Sequence, residues 1–234
     1  MSSEERTQQI RLLEYFEYLI DGNLGDWETE LVNLEINPYS KPFNCRYYTV
    51  SRINRETFHK ELKRLVKIGV LNTVHQSQCG TPVSMILMKE VTMRFIRDYY
   101  RLKYKLVRNT HPLPRIGDTI KQLVGFQYET ALYLNMGYYI IRLLPASQDR
   151  TAIVTEFGKF KYNRLPMGMC ASVNILQAKV NELLSNTEGI KTYIDYIPIS
   201  RKDWFTKHIE QLRKIFGRLC TASLKVNAPS AVLG

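Results

Sequence analysis

The stretch that most restricts the fold is Thr192 to Ser200, a short apolar run interrupted by one carboxylate. Apolar residues on both sides of a polar centre predict two buried strands joined by a tight turn. Asp195 lies at this turn, and the bulky Tyr196 follows it directly. A turn of this kind presents its carboxylate to a cleft. The alternative is an Asx turn, in which Asp195 only stabilises the local backbone.

Chain length and charge point to a globular protein with a polyanionic partner. The 234 residues are 44% hydrophobic, which is sufficient to bury a sizeable core. Lys and Arg number 33 against 22 Asp and Glu, so that the formal net charge is +11. An excess of this size favours nucleic acid as a partner, although charge alone is a weak discriminator.

Cysteine and histidine spacing indicates neither a disulfide framework nor a metal site. The four cysteines form no C-x-x-C pair and no signal peptide is legible, so we expect reduced thiols in an intracellular protein of the cytoplasm or nucleus. The four histidines lack metal-ligand spacing. No apolar run approaches the ~20 residues of a membrane-spanning helix, so we expect no membrane insertion.

The first part of the chain predicts an arm followed by a basic helix. Residues 1–41 combine an amphipathic helix that ends at Asp21-Gly22 with an extended segment. The clearest helix runs from Asn54, the predicted N-cap, to Gly69, which suits a left-handed C-terminal position. One face of this helix carries four cations: Lys60, Lys63, Arg64 and Lys67. Both a solvated face and a face that follows phosphates remain open.

A hairpin and an alternating pattern of strands and helices follow. Val83–Met88 and Thr92–Ile96 predict a hairpin whose tip brings Lys89 and Arg94 near one another, either to hold a triphosphate or for solubility. From residue 130 onward the order is strand, helix, two strands, helix, strand, where the last helix begins with Ser200 and Asp203 in capping-box spacing. This order is the ferredoxin-like βαββαβ arrangement.

Several ordered motifs carry a family resemblance. They are the string from Thr130 to Leu143, the Leu165-Pro166-Met167-Gly168 loop, Tyr193-Ile194-Asp195, and Leu224-Lys225-Val226-Asn227. Together they resemble the reverse transcriptase of gypsy-type LTR retrotransposons, which is related to the retroviral enzymes. The resemblance covers nearly the whole chain, and the joint match is far more specific than any single motif.

The resemblance implies an α+β fold, namely the fingers and palm of a right-hand polymerase with no thumb in these residues. Residues 1–41 would form the N-terminal arm. The fingers would comprise 42–107 and 141–171. The palm, ferredoxin-like with an antiparallel sheet, would comprise 108–140 and 172–234.

The family's chemistry is nucleotidyl transfer with two Mg²⁺ ions, which need converging carboxylates. The resemblance places one carboxylate on the first palm strand and two at the hairpin turn. Here Tyr133 and Tyr196 occupy two of these positions, and Asp195 is the sole surviving carboxylate and metal ligand. A phenol has a pKa near ~10 and is a poor Mg²⁺ ligand, so we expect no productive Mg²⁺ binding. Glu129 lies on the same strand face as Tyr133 but about 13 Å away, too far to substitute.

Other positions match the family. The resemblance implies nucleotide contacts for Lys89, Arg94, Tyr138 and Met167, and a template contact for Gln177. Each of them has an alternative interpretation as an ordinary core or surface residue.

Three hypotheses follow. The first is a degenerate reverse transcriptase domain that is catalytically inactive but retains salt-sensitive binding of an RNA or DNA primer-template. The second is an active RNA-directed DNA polymerase fragment that uses Asp195 and an unrecognised ligand. The third is a protein-interaction module derived from this fold, in which aromatic residues fill the cleft and the surface supports self-association.

Overall fold

Two units make up the chain. The computed structural model describes residues 2–35, 37, 39–87, 93–97, 99, 106–107, 113, 127–187, 190, 192–202, 204–227 and 232–233. Unit 1 comprises Met1–Glu28, Thr110–Ile140 and Val173–Gly234, and unit 2 comprises Thr29–Asn109 and Ile141–Ser172. The predicted division into arm, fingers and palm stays a prediction.

A five-stranded sheet forms the centre of unit 2. Its strands are β1 (Leu71–Val74), β2 (Thr81–Leu87), β3 (Met93–Arg97), β5 (Ile153–Thr155) and β6 (Gly158–Tyr162). They lie in the order β1-β6-β5-β2-β3, and all pairs are antiparallel except β2 with β5. The β2–β3 pairing agrees with the predicted hairpin, whereas sequence reasoning did not identify β1. The predicted hairpin tip, including Lys89, lies outside the described residues.

Helix α2 (Arg52–Lys67) packs its apolar stripe into unit 2. Phe58, Leu62 and Leu65 are each 1% exposed, as their 3.6-residue spacing predicts. Gly69 adopts φ +73°, which confirms the predicted left-handed end. The predicted N-cap was wrong: the helix begins one turn earlier, after Ser51. Asn54 lies inside the first turn, where its backbone N–H already donates to the Ser51 carbonyl.

Unit 1 has a three-stranded antiparallel sheet backed by helices. The strands β4 (Tyr128–Tyr133), β7 (Tyr196–Arg201) and β8 (Val232–Leu233) lie in the order β7-β4-β8. The helices of this unit are α1 (Ser3–Tyr15), most of α4 (Cys170–Leu184), and α5 (Phe205–Thr221). The short helix α3 (Pro145–Gln148) belongs to unit 2. No helix in the described part of the chain is long and apolar enough to cross a membrane.

Alternation along β4 separates a core face from a second face of the sheet. Thr130 and Leu132 are 0% and 2% exposed, and the Thr130 hydroxyl bonds to His208 of α5. Because side chains alternate along a strand, Glu129, Ala131 and Tyr133 occupy the opposite face. On β7, Ile197 and Ile199 are fully buried, so Tyr196 shares the second face with Tyr133, its partner in the register.

Two predicted boundaries in unit 1 were wrong. The capping box does not form, because Ser200 belongs to β7 and α5 begins later, after Trp204, without a side-chain cap. The sequence pattern places the last strand of the predicted order at Leu224 to Val226, but there a single bridge joins Val226 to Leu134. The apolar residues of α5 recur at helical spacing, and Leu212, Phe216 and Leu219 are buried.

Lys225 fastens the N-terminal segment to the rest of unit 1. Its Nζ donates to Asp21 Oδ2 at 2.6 Å and to the Tyr18 carbonyl at 2.6 Å, and lies 3.0 Å from the centre of the Tyr18 ring. Burial alone would raise the pKa of the Asp21 carboxyl, but hydrogen bonds from Lys225 and Asn23 outweigh it and lower this pKa. The side chain of Lys225 is only 3% exposed, so removal of Asp21 would leave a buried cation without its partner.

His208 predicts an acid-sensitive stability. Burial, followed by the charge of Arg201, lowers its pKa from 6.5 to about 4. The unfolded chain binds a proton near pH 6.5 that the native chain takes up only near pH 4. The free energy of unfolding therefore falls as pH drops from about 7 to 4, by up to about 3 kcal/mol from this residue. Urea unfolding at several pH values measures this decline.

The substitution His208→Gln keeps a polar group for Thr130 but removes the group that titrates. The free energy of unfolding should then fall less between about pH 7 and 4, by the contribution assigned to His208. His75 is exposed, and His75→Gln serves as the control with an unchanged decline. An identical pH dependence in His208→Gln and the native protein would contradict the assignment.

Candidate functional site

The turn that carries Asp195 lies at the end of β4 in unit 1. Tyr193 and Tyr196 exchange two backbone hydrogen bonds of 2.9 Å, which leaves Ile194 and Asp195 as the two turn residues. The Leu134 amide donates to the Asp195 carbonyl at 2.9 Å. A Cβ on Gly137 would lie 3.2 Å from the Asp195 Cβ, a tight contact, so glycine at this position lets the turn approach without a shift.

Only one side of the turn is a strand among the described residues. β7 follows it as predicted, but before it Tyr193 makes a single bridge to Tyr196. There the Thr192 carbonyl accepts a hydrogen bond from the Gln177 side chain of α4.

Gln177 holds this turn from the helix side. Its side chain is fully buried, and the two hydrogens of Nε2 have three acceptors within hydrogen-bond distance: the carbonyl and hydroxyl of Thr192 and Asn181 Oδ1. Its Oε1 accepts from the Ile194 amide at 2.7 Å. Ile194 adopts φ +59°, a left-handed conformation that is unusual for a β-branched residue and costs on the order of 1 kcal/mol or more. The hydrogen bond from its amide helps to keep this conformation.

Tyr133 and Tyr196 form an aromatic pair beside Asp195. They face one another in the β4–β7 register, and their ring centres are 5.0 Å apart at an interplanar angle of 39°. Both side chains are half-buried, as is Asp195. Aromatic pairs at this separation attract one another, so each ring supports the other's position.

The Tyr196 phenol is held neutral. Burial has the largest effect, followed by the charge of Glu129 and by Tyr133, and together they raise the pKa of Tyr196 above its usual value of 10. The influence of Glu129 agrees with its position on the same face of the sheet, four residues before Tyr133. At neutral pH the phenol is therefore a hydrogen-bonding group without charge.

The donor set does not suit Mg²⁺. Hard divalent cations require several oxygen ligands, of which carboxylates are the strongest. At this turn, Asp195 stands beside two tyrosines. Within the described ranges no three His, Cys, Asp or Glu side chains come together in a group that could hold a metal ion.

The remaining predicted site residues lie in both units. Tyr138 is half-buried in unit 1, in a 3-10 helix, Gly137–Ile140. Met167 belongs to unit 2 and is half-buried. Arg94 lies in β3, and only its backbone is described. Gln177 is an internal residue of unit 1, and its predicted template contact stays a prediction, as do the nucleotide contacts of the others.

Sequence reasoning missed Arg97, which organises the loop around Met167 in unit 2. This guanidinium is 6% exposed, lies 4.4 Å from the Tyr162 ring centre, and donates to the Tyr162 hydroxyl. Its Nη1 donates to the Met167 carbonyl at 2.9 Å. The partners are separated by 65 and 70 positions, so no local pattern signals the contact.

The relatives of the chain are Pol polyproteins. It is 27% identical over 232 residues to the retrovirus-related Pol polyprotein from transposon opus of Drosophila melanogaster, with 94% of this chain and 23% of the relative covered. It is 25% identical over 226 residues to the Pro-Pol polyprotein of simian foamy virus type 1, with 94% and 20% covered. The chain thus spans less than a quarter of either relative. No protein-family model matches it.

A solved structure of the foamy viral protease-reverse transcriptase, in complex with an RNA/DNA hybrid, shares the fold. The TM-score is 0.91 at 24% identity, and the alignment covers 100% of this chain and 32% of that one. The fold therefore belongs to the reverse-transcriptase class, with mixed α and β content and antiparallel strand pairing. The chain is a reverse-transcriptase-like domain related to the Pol polyproteins of retrotransposons and retroviruses. The gypsy subtype stays a prediction.

The contacts of Gln177 predict that the turn depends on it. Gln177→Met keeps an unbranched side chain but leaves the Ile194 amide and the Thr192 carbonyl without their partner, so we expect a loss of about 2–4 kcal/mol in the free energy of unfolding. Urea denaturation measures the loss. Glu182→Gln, at an exposed position of the same helix, should change stability by less than about 0.5 kcal/mol. Equal stability of the two variants would contradict the assigned role.

Proposed function

We propose that the chain is a degenerate reverse transcriptase domain, catalytically inactive, that retains the ability to bind nucleic acid. In this proposal unit 2 corresponds to the fingers and unit 1 to a ferredoxin-like palm. The chain order β4, α4, β7, α5, β8 and the central position of β4 between β7 and β8 support the palm assignment.

The observation that carries the proposal is the pairing of Tyr133 with Tyr196. The resemblance implies carboxylates at both positions. The register instead places two phenols opposite each other, beside Asp195. The pKa of Tyr196 is raised, which moves this group further from the anionic form that could bind a cation. Two-metal transfer needs converging carboxylates, so we infer that Mg²⁺ is not bound productively and that polymerase chemistry is lost.

The net charge of the chain and its similarity to a foamy viral structure both support nucleic-acid binding. The net charge of +11 attracts a polyanion, and the foamy viral relative was solved with an RNA/DNA hybrid. On α2, Lys60 and Arg64 are in ion pairs with acids of the same helix. Lys63 and Lys67 are exposed and are the cations of α2 that we propose to contact phosphates.

Because tyrosines occupy two of the expected carboxylate positions, we predict that the chain has no activity in a primer-extension assay. The native chain should give no product with Mg²⁺ or Mn²⁺, whereas Tyr133→Asp combined with Tyr196→Asp restores the expected carboxylates beside Asp195 and should gain activity. Adding Asp195→Asn to this double variant should abolish the gain. Product length on a denaturing gel is the measurement.

Extension by the native chain would refute the inactive interpretation and would require another metal ligand. The triple variant is the matched control, because it keeps both introduced aspartates. It differs from the double variant only in that an NH2 group replaces one carboxylate oxygen of residue 195.

Binding driven by phosphate contacts should weaken as salt rises. Counterion release predicts a loss of affinity of at least about tenfold between about 50 and 200 mM salt, even for two phosphate contacts. Lys63→Gln with Lys67→Gln should flatten the plot of log Kd against log salt, measured by fluorescence anisotropy with a labelled oligonucleotide. Lys207→Gln with Lys214→Gln removes the same charge from exposed positions of α5 and should flatten it less. An affinity indifferent to salt would contradict this mode of binding.

A further inference from the structure

The aromatic pair has properties beyond the loss of metal ligands. Tyr133 and Tyr196 are half-buried neighbours on the face of the sheet opposite to Leu132 and Ile197. Their mutual packing, with 5.0 Å between ring centres, gives two large rings a shared and restrained position. Aromatic rings on a strand surface are the usual platforms on which unpaired nucleobases stack.

The next cross-strand pair on this face is buried. Ala131 lies opposite Pro198 in the register, on the same face and directly beside the tyrosines. Both residues are buried and small, and neither carries a polar side-chain atom. Because Ala131 and Pro198 are buried, only the two half-buried rings can be reached by a ligand, and we call Tyr133 and Tyr196 the tyrosine platform.

Charge around the platform selects a base over a phosphate. Glu129 lies beyond Ala131 on the same face, and Asp195 directly precedes Tyr196 in the turn. Two carboxylates repel a phosphodiester backbone but tolerate a neutral base, whose ring stacks on an uncharged phenol. The net charge of +11 meanwhile attracts the strand as a whole.

We propose that the tyrosine platform stacks an unpaired base of a single-stranded nucleic acid at the position where the related enzymes are expected to hold metal. This inference rests on the nucleic-acid binding proposed above. It requires neither metal nor catalysis. The binding free energy then has two parts, a salt-dependent part from phosphate contacts and a stacking part from the two rings.

The test uses the full chain and 12-nucleotide single strands with one central 2-aminopurine, whose fluorescence falls when the base stacks on an aromatic ring. We expect quenching on binding, and tighter binding of the single strand than of a duplex of equal length, because duplex bases are already stacked. Both measurements use the native chain and do not depend on the stability of any variant.

Variants then locate the stacking. Tyr133→Leu with Tyr196→Leu keeps apolar side chains but removes the rings, and should lower affinity for the single strand about tenfold or more without changing the salt slope. Tyr133→Phe with Tyr196→Phe keeps the rings and should retain both affinity and quenching. Tyr39→Leu with Tyr47→Leu removes two exposed tyrosines of unit 2 and should have no effect.

The outcomes separate the two proposals. Salt-dependent binding without quenching, or with equal affinity for duplex and single strand, overturns the platform while the proposed nucleic-acid binding stands. Full affinity and quenching in the leucine double variant overturn it as well. Absence of binding at any salt concentration overturns both. Quenching in the native and phenylalanine proteins that is lost in the leucine protein supports the platform.

Discussion

The antiparallel register between β4 and β7 is the constraint on which the site depends. It places Tyr133 opposite Tyr196 and brings the Asp195 turn to the end of β4, where the Leu134 amide binds the Asp195 carbonyl. A shift by one residue would turn every side chain of β7 to the other face and would expose Ile197 and Ile199, which are fully buried. The core therefore sets the register, and the register sets which side chains meet at the site.

Under the proposed loss of catalysis, this arrangement accounts for a fold that is retained. Core residues and site residues alternate along the same two strands, so a change at Tyr133 or Tyr196 leaves the packing of Leu132 and Ile197 in place. Under the same proposal, tyrosines in place of carboxylates also avoid the electrostatic repulsion that close negative charges would cause without a metal. The stability of the domain and its catalytic competence are for this reason largely independent properties.

Local patterns predicted the periodic elements well and the long-range contacts poorly. The stripes of α2 and α5 follow from apolar spacing, and the left-handed end at Gly69 follows from residue type. The capping box at Ser200 failed because pairing with β4 extended β7 past the predicted helix start. Asp195, Tyr133 and Tyr196 were located by motif, and the structure brings them together. The roles of Gln177 and Arg97 depend on partners far along the chain, which no local pattern reveals.

The attachment of the turn to α4 bears on how such a domain can evolve. Two hydrogen bonds fix the turn. They join the fully buried side chain of Gln177 in α4 to the Thr192 carbonyl and the Ile194 amide. Backbone atoms are the same in every residue type, so these two bonds do not depend on the side chains at positions 195 and 196. Selection can therefore exchange the side chains at these two positions at little cost in stability, so the chemistry of the turn can change while its backbone support stays the same.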